Sequence, residues 1–431
     1  MNELARELNS TLEGSVAYGF LSSVGKRMYF PKGITAQSAE AGEKAKTYNA
    51  TVGLATSKGQ PMHLGDIMGL FREGVFKPSE IFNYAPGGGD KTLRAIWKEE
   101  MVRKNPSLAG KPTSGCLVSA GLTHAISMIA TLFVDEGDVV VLPDLFWDNY
   151  DLIFSELRGA RIVTFPFFDG DGFNVEGMKK ALMAQEGDHV RLMLNFPNNP
   201  TGYTPTRREM DAIVKAIVEV ADSGRKVMVI SDDAYFGLFF EPETASESLF
   251  SYLADAHENI FAIKGDGATK EDMVWGFRIG FVTYASKGLD KAQLAALENK
   301  TLGMIRCTVS NCDRPGQSML VHAYREGENV QADKARTFEE MRRRYRRIHQ
   351  AIASHPQTLL RAYPFNSGYF MAFDTTGHSA EQLRRHLLDD YGIGTVNIMD
   401  RTLRLAYCSV EEESLEDLVD KVYKAAEELW S

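Results

Sequence analysis

Residues 266–280 read Asp266-Gly-Ala-Thr-Lys270-Glu-Asp-Met-Val-Trp-Gly-Phe-Arg278-Ile-Gly280 and hold one lysine and one arginine of unusual setting. An arginine in an otherwise apolar segment needs an anionic partner. A lysine that attacks an aldehyde must be neutral, and burial or a nearby cation favours this by lowering its pKa. The stretch therefore indicates a site for an anionic ligand with a group that reacts with amines.

Three motifs upstream of this stretch each follow an apolar segment. They are Gly121-Leu-Thr123, the turn Asn199-Pro-Thr-Gly202, and Asp232-Asp-Ala-Tyr235. Backbone N–H groups at the start of a helix bind phosphate, and an acid at a strand end can hold a protonated ring nitrogen. In open α/β sheets such groups meet at the carboxyl ends of the strands. Together the motifs predict one composite site.

Short apolar segments alternate with helical ones through the middle of the chain, which predicts a mostly parallel sheet covered on both faces. The segments predicted as strands are 116–119, 138–143, 161–165, 190–195, 226–231, 260–264 and 275–284. A helix is predicted at 207–222 between two of them. A long charged helix at 331–354 and strands at 368–373 and 401–407 predict a smaller α+β region.

With these motifs in this order, the chain from about Tyr48 to the C-terminus resembles the class I/II aminotransferases of fold type I, which depend on pyridoxal 5′-phosphate (PLP). The resemblance implies a large PLP-binding domain at 63–324 with a mostly parallel seven-stranded sheet between helices. It also implies a smaller, discontinuous α+β domain made of 1–62 and 325–431.

The resemblance gives roles to the motif residues. Lys270 would form the Schiff base with PLP and move the proton, with Lys264 as the competing lysine. Asp232 would pair with the pyridine nitrogen; Asp233 is the alternative, and alternation along a strand sends the two side chains to opposite faces. Tyr235 and Asn199 would donate hydrogen bonds to the phenolic oxygen of PLP.

The phosphate is expected between Arg278 and the turn formed by Gly121, Leu122 and Thr123. Members of the family commonly carry a serine three residues before the lysine, where this chain has Gly267. An aromatic ring is expected to stack on PLP. Trp147 is the first candidate, and Phe146 is the alternative.

Substrate contacts are also implied by the resemblance. Arg404 would bind the α-carboxylate of the substrate, and Gly65 would approach the substrate backbone. Tyr84 and Arg306 would reach across a homodimer interface into the partner's site, Tyr84 to the phosphate and Arg306 to a distal carboxylate. The Arg-x-Thr-x-Ser-Asn pattern around Arg306 fits the family, but Cys312-Asp313 replaces the proline pair that follows.

We therefore expect an aminotransferase that moves an amino group between an amino acid and a 2-oxo acid. Aspartate or glutamate is the first donor, 2-oxoglutarate the acceptor, and aromatic amino acids are secondary donors. The alternative is a PLP-dependent lyase, or an aminotransferase for neutral or aromatic amino acids, because the residues of the scaffold barely differ between these activities.

Charge, composition and cysteine spacing argue against other classes of protein. The net charge of −10 argues against a non-specific nucleic-acid binder, and the run of arginines at 342–347 is read as a solvated, salt-bridged helix face. The four cysteines show no pairing or metal-ligand spacing, so no metal is expected. We expect neither a signal peptide nor a membrane span, and a cytoplasmic location.

Overall fold

The computed structural model describes residues 1–31 and 33–430 and is organised around a seven-stranded sheet. In chain order its strands are β1 (Leu117–Ser119), β2 (Val139–Pro143), β3 (Arg161–Phe165), β4 (His189–Asn195), β5 (Lys226–Asp232), β6 (Ile260–Gly267) and β7 (Gly280–Ala285). Their order across the sheet is β1-β7-β6-β5-β4-β2-β3. β7 is antiparallel to both neighbours, and the other neighbouring pairs are parallel. The predicted fold class is confirmed.

Helices cover the sheet and connect its strands. The longer ones are α1 (Glu3–Leu12), α2 (Ile34–Lys44), α3 (Lys91–Lys104), α4 (Leu122–Phe133), α5 (Val175–Met183), α6 (Arg207–Asp222), α7 (Lys291–Thr308), α8 (Pro315–Glu326), α9 (Val330–Ala353), α10 (Ala380–Tyr391) and α11 (Leu415–Trp430). The sequence predicted α6 with the bounds that the structure has. Its start is fixed by a capping box, because the Thr206 hydroxyl accepts from the Glu209 N–H and the Glu209 carboxylate accepts from the Thr206 N–H.

A second, smaller sheet follows α9. Its strands are β8 (Arg361–Ala362), β9 (Phe370–Asp374), β10 (Val396–Ile398) and β11 (Thr402–Ala406), in the order β8-β9-β11-β10. Further two-residue strands lie at Tyr48–Asn49, Thr56–Ser57, Gln60–Pro61, Phe168–Asp169, Gly172–Phe173 and Ile393–Gly394.

The N-terminal segment divides between the two sheets. Tyr48–Asn49 pairs in parallel with Ile393–Gly394, which lies just before β10 of the small sheet. The short helix Ser23–Arg27 lies instead against the π-helical segment Asp151–Leu157, where the Arg27 Nε donates to the Glu156 carbonyl at 3.0 Å. The first thirty or so residues therefore do not pack only on the small sheet.

The predicted strand at 275–284 is wrong in its first half. Trp275–Phe277 forms a 3-10 turn, and Arg278 has a φ of +53°, in the left-handed region. A residue in that conformation cannot continue an extended strand, so β7 begins only at Gly280. Conversely, β6 runs beyond the predicted 260–264 to Gly267.

Strand register places the chemically interesting side chains along one edge. Asp232 on β5 pairs in register with Asn195 on β4 and with Gly265 on β6, so β4 and β5 end at the same level and β6 runs two residues further. β6 then leads directly into the one-turn helix Ala268–Glu271, named here the Lys270 helix. No helix in the described ranges is both long and apolar enough to cross a bilayer.

Candidate active site

A cavity of about 240 Å³ opens at the carboxyl edge of β4, β5 and β6. Its walls are formed by Leu122, Thr123, Trp147, Tyr150, Asn195, Asn199, Asp232, Ala234, Tyr235, Thr269, Lys270 and Arg278. The structure thus brings together residues that lie more than 150 positions apart in the chain. Most of them are residues that the sequence predicted for the cofactor.

Lys270 projects into this cavity from the Lys270 helix. Its ammonium lies 4.7 Å from the centroid of the Tyr235 ring. Burial lowers the pKa of Lys270 to about 8; the Asp232 carboxylate opposes the shift, and the Arg278 guanidinium adds to it. A substantial neutral fraction near pH 8 makes this amine a competent nucleophile.

The competing Lys264 lies inside the sheet, outside the cavity walls. Its Nζ is 2.5 Å from Asp233 Oδ2 and 2.9 Å from Asp266 Oδ2. Burial disfavours its charge, but the two carboxylates outweigh burial and raise the pKa of Lys264. A permanently charged, fully paired ammonium is a poor nucleophile.

The two neighbouring acids at the end of β5 point in different directions. Asp232 faces the cavity, where its carboxylate accepts from the Tyr150 hydroxyl at 2.5 Å and from the Ala234 N–H at 2.9 Å. Asp233 faces Lys264 instead. Burial raises the pKa of Asp232 to about 6, with both donors opposing the shift. Of the pair, only Asp232 is placed to meet a ligand.

Tyr150 was not singled out by the sequence analysis, although it is buried and donates directly to Asp232. It lies three residues after Trp147, and its N–H donates to the Trp147 carbonyl at 3.0 Å. That spacing puts both side chains on the same side of a turn, which is the signal that could have identified Tyr150. Trp147 lines the cavity, whereas Phe146 is buried and stacks on Tyr150 at a centroid distance of 6.3 Å.

Asn199 is held in place by a chain of hydrogen bonds. Its N–H donates to Asn195 Oδ1 at 2.8 Å, and the Asn195 amide donates to the Asp232 carbonyl at 2.9 Å. Asn199 Oδ1 in turn accepts from Arg404 Nη1 at 2.8 Å. Asn195, also missed from the sequence, therefore links the turn at Asn199 to the end of β5.

Arg404 reaches the same region from β11 of the small sheet. Its Nη2 donates to the Thr51 carbonyl at 2.6 Å, and its guanidinium lies 4.2 Å from the centroid of the Phe370 ring. It is almost fully buried, its Nε has no hydrogen-bond partner, and no carboxylate within the described residues forms an ion pair with it. Burial lowers the pKa of Arg404. A carboxylate would complete this guanidinium.

Arg278 and the start of α4 form the other end of the cavity. A Cβ at Gly121, whose φ is +81°, would lie 2.5 Å from Arg278 Nη2, so the turn admits only glycine beside that guanidinium. Arg278 itself is exposed, rather than enclosed as its apolar neighbours in the sequence suggested. Thr123 in the first turn of α4 supplies a hydroxyl nearby.

Gly65, which the sequence analysis expected to approach the substrate, is not among the residues that form the cavity walls. It begins the short helix Gly65–Met68, and its N–H donates to the Asp333 carboxylate at 2.7 Å. Gly53 is the glycine at the site: a Cβ there would lie 2.6 Å from Phe370 Cζ and 3.3 Å from the Tyr235 hydroxyl. Nothing local in the sequence separates these two glycines.

Tyr84 and Arg306 lie on the surface, outside the cavity of their own chain. Tyr84 is 89% exposed, and Arg306 Nη1 donates to the Ser310 hydroxyl at 2.6 Å. The Asn311 amide donates to the Ala85 carbonyl at 2.8 Å, so the two segments are neighbours on one face. Phe82, 84% exposed, lies in the same segment as Tyr84. The exposed face formed by Phe82, Tyr84, Arg306 and Val309 is named here the aromatic face.

Known proteins resemble this chain in sequence and in fold. The family model described as aminotransferase class I and II matches residues 67–422. A probable aspartate/prephenate aminotransferase of Aquifex aeolicus is 30% identical over 205 residues, which is 46% of this chain and 48% of that protein. The matched segments of the first three curated relatives cover 48%, 60% and 39% of their own lengths, so this chain matches about half of each.

Solved structures share the fold over most of the chain. An aminotransferase from Anaerococcus prevotii superposes with a TM-score of 0.81 at 23% identity, covering 93% of this chain and 98% of that one. A kynurenine aminotransferase from Pyrococcus horikoshii, solved with PMP, gives a TM-score of 0.78 at 15% identity and covers 97% of this chain and 99% of that one. At these identities the likeness is one of fold.

Proposed function

We propose that this chain, which belongs to the aminotransferases of class I and II, uses PLP to move an amino group between an amino acid and a 2-oxo acid. The observation that carries the proposal is the placement of Lys270. A buried amine with a lowered pKa faces a buried carboxylate, Asp232, across a cavity with a cationic rim. The names of the Aquifex and Pyrococcus relatives support the same activity.

The residues at the cavity fit PLP. Arg278, the Thr123 hydroxyl and the backbone at Gly121 are suited to a phosphate, because a guanidinium and the N–H groups at a helix start both bind phosphate oxygens. The absence of a side chain at Gly121 lets the guanidinium lie close to that backbone. Asp232 is suited to a protonated pyridine nitrogen. Tyr235 and Asn199 flank the cavity and would donate to the phenolic oxygen. Trp147 is the aromatic ring that lines the cavity and would stack on the pyridine ring.

When bound, PLP supplies an aldehyde for amines and a ring that delocalises the electron pair left by removal of the Cα proton. The protein holds the proton on the ring nitrogen through Asp232, whose own carboxylate is fixed by Tyr150 and the Ala234 N–H. Once its amine is free, Lys270 acts as a general base that takes the proton from Cα of the substrate. It then acts as a general acid that delivers this proton to C4′ of the cofactor.

Arg404 is proposed to bind the α-carboxylate of the substrate. Its unpartnered Nε and its position between Asn199 and Phe370 leave it one fork of donors for an incoming anion. The same arginine serves the amino acid and the 2-oxo acid, because both carry this carboxylate.

Aspartate and glutamate are the proposed donors, with 2-oxoglutarate as the acceptor and aromatic amino acids as secondary donors. The proposal rests on Arg306, which would clamp a distal carboxylate from a second subunit of a homodimer. The exposure of both Tyr84 and Arg306 on the aromatic face supports such an arrangement. The domain division at 63–324 against 1–62 and 325–431, and the cytoplasmic location, stay predictions.

The test is the absorbance of the PLP-loaded protein mixed separately with aspartate, glutamate, alanine and phenylalanine. We expect the visible band to convert to the pyridoxamine form fastest with the two acidic donors, and to return when 2-oxoglutarate is added. Lys270→Ala is the control and should show no such conversion. Absence of any cofactor band after reconstitution would overturn the proposal.

Two other results would change it in part. Conversion with neutral donors alone would keep the aminotransferase and remove the role given to Arg306. Release of ammonia without formation of the pyridoxamine form would instead favour the lyase. Assaying the amino-acid products separates these cases.

A further inference from the structure

A buried ion cluster holds the C-terminal end of the Lys270 helix. Lys104 Nζ is 2.5 Å from Glu271 Oε1, and Lys334 Nζ is 3.4 Å from the same oxygen. Lys334 Nζ also lies 2.5 Å from Asp272 Oδ1. The Tyr324 hydroxyl donates to that Asp272 oxygen at 2.8 Å. The two acids of this cluster directly follow Lys270 in the chain.

The cluster is enclosed and electrically balanced. The side chain of Asp272 is fully buried, and those of Lys104, Glu271 and Lys334 are 18%, 15% and 15% exposed. Burial alone would raise the pKa of Glu271, but the two ammonium groups bring it down to about 2. Removing one cation would leave a buried carboxylate without compensation, which is strongly destabilising.

The end of β6, which leads into the Lys270 helix, is anchored as well. Asp266, four residues before Lys270, accepts from Trp97 Nε1 at 3.1 Å and pairs with Lys264. Trp97 and Lys104 lie about two turns apart on the same face of α3, and the Lys104 ammonium is 5.1 Å from the centroid of the Trp97 ring. Helix α3 therefore contacts the chain on both sides of Lys270, through Trp97 at Asp266 and through Lys104 at Glu271.

Lys334 comes from α9, the long helix that precedes the small sheet, whereas the other described members of the cluster come from α3, α8 and the Lys270 segment itself. The neighbouring Asp333 accepts from the Gly65 N–H, so the first turn of α9 is itself fixed. The Lys334 ammonium therefore connects the long helix that leads to the small sheet with the C-terminal end of the Lys270 helix.

We propose that Lys334 is a positioning residue for Lys270: by bridging Glu271 and Asp272 it fixes the Lys270 helix and keeps the amine in its dry setting. Asp232, Arg278, Tyr235 and Cys408 are the titratable or charged groups that face Lys270 from the other elements. None of them belongs to the cluster, so Lys334 acts on Lys270 only through the backbone of the loop. The inference rests on the proposed function for its effect on the reaction, but not for its effect on the loop.

The test compares Lys334→Met with Arg384→Met in the full-length, PLP-loaded protein. Arg384 is a matched control, since it is 3% exposed and pairs with Glu381 and Glu40 far from the cavity. Both variants should lower the melting temperature. Only Lys334→Met should increase amide hydrogen exchange in the peptide that covers 266–274, by about tenfold or more, since a released loop opens locally.

A second readout follows the visible cofactor band through a pH titration. Water that reaches a loosened Lys270 helix favours the charged, protonated form at the lysine nitrogen, so we expect the midpoint to rise by about half a pH unit or more. We also expect kcat to fall about tenfold with KM little changed, because the misplaced group is catalytic. Arg384→Met should have a lower melting temperature, but the midpoint of its pH titration and its kcat should equal those of the wild type.

An unchanged exchange rate and midpoint in Lys334→Met, with the stability loss of the control, would make Lys334 merely structural and overturn the proposal. If Lys334→Met does not fold, Glu271→Gln keeps the shape and removes the charge from one of the two carboxylates that Lys334 bridges, and the same outcomes apply to it. A wild type that never shows a cofactor band would defeat the proposed function, while the exchange measurement would still decide the role of Lys334.

Discussion

At the scale of single residues, Lys270 trades stability for reactivity. Its pKa is about 8 in the fold and 10.5 in an unfolded reference, so between these values the unfolded chain binds more protons and stability rises with pH. Below pH 8 the full penalty applies, about 3 kcal/mol from the size of the shift. We predict that Lys270→Met stabilises the cofactor-free protein at pH 7 by up to about this amount.

Urea unfolding of the two cofactor-free proteins at pH 7 and pH 10 measures the effect. The advantage of the variant should shrink at pH 10, because the wild-type lysine is then neutral in the fold and only the small step from pH 10 to its unfolded pKa of 10.5 still favours the unfolded chain. A gap that is absent at pH 7, or that widens with pH, would contradict the assignment of Lys270 as the buried amine.

Tyr150 gives the second prediction at this scale. Its hydroxyl is a short donor to Asp232, and a hydrogen bond to a charged group contributes about 1.5–3 kcal/mol. Tyr150→Phe should weaken PLP binding about tenfold or more, because Asp232 loses the donor that favours its charged form. The dissociation constant for PLP, measured by dialysis equilibrium, is the readout.

Tyr284→Phe is the matched control for that measurement. Tyr284 is buried, and its hydroxyl bonds to Thr301 at 2.7 Å, away from the cavity. Both variants lose one buried hydrogen bond, so both should lose similar stability. Equal PLP affinity in the two variants would show that Tyr150 only supports the fold.

At the scale of elements, β6 and β7 approach each other closely at Gly267, the position where the family resemblance led us to expect a serine. A Cβ at Gly267 would lie 2.8 Å from the Ile279 carbonyl oxygen and 3.1 Å from Gly280 Cα. We predict that Gly267→Ser does not add a phosphate ligand but costs about 1–3 kcal/mol by overpacking. Melting temperature and PLP affinity should both fall.

Thr269 lines the cavity two residues later and is the available hydroxyl on this loop. Thr269→Val, which keeps the shape, should weaken PLP binding while leaving the melting temperature of the cofactor-free protein nearly unchanged. A gain of PLP affinity in Gly267→Ser would contradict the steric argument.

Elements were predictable from the sequence where a local pattern is complete. The sequence predicted α6 with the bounds that the structure has, and the apolar strands from β2 to β5 with shifts of at most one residue. The turn at Arg278 was not predictable, because its left-handed φ depends on the partner that the side chain meets at Gly121. Lys270 and Asp232 were identifiable because motif and strand end coincide.

At the scale of the whole molecule, the site is assembled from distant segments, and this is where sequence reasoning failed. Arg404 from β11 contacts Asn199 beside β4 and the backbone at Thr51, and Gly53 closes against Phe370. Such contacts carry no local signal in the sequence. The same limit explains why Tyr150 and Asn195 became visible only in three dimensions.

The proposed dimer makes the strongest prediction at this scale. If Arg306 serves the partner's cavity, a subunit with Lys270→Ala and a subunit with Arg306→Met fail separately with aspartate but restore one intact site when paired. Statistical mixing makes half of the dimers mixed, each with one working site, so about a quarter of the wild-type activity should return. Unfolding and refolding the two variants together, then assaying aspartate transamination, measures it.

Arg404→Met mixed with Lys270→Ala is the decisive control. Arg404 bonds to Asn199 of its own chain beside the same cavity as Lys270, so every site of the mixed dimer lacks one of the two groups. No recovery is expected from that mixture. Recovery in the control as well would point to exchange of material between assays, and failure in both mixtures would place Arg306 outside the partner's site. Recovery in the mixture that contains Arg306→Met, but not in the mixture that contains Arg404→Met, therefore distinguishes a site shared across two subunits from one completed within a single chain.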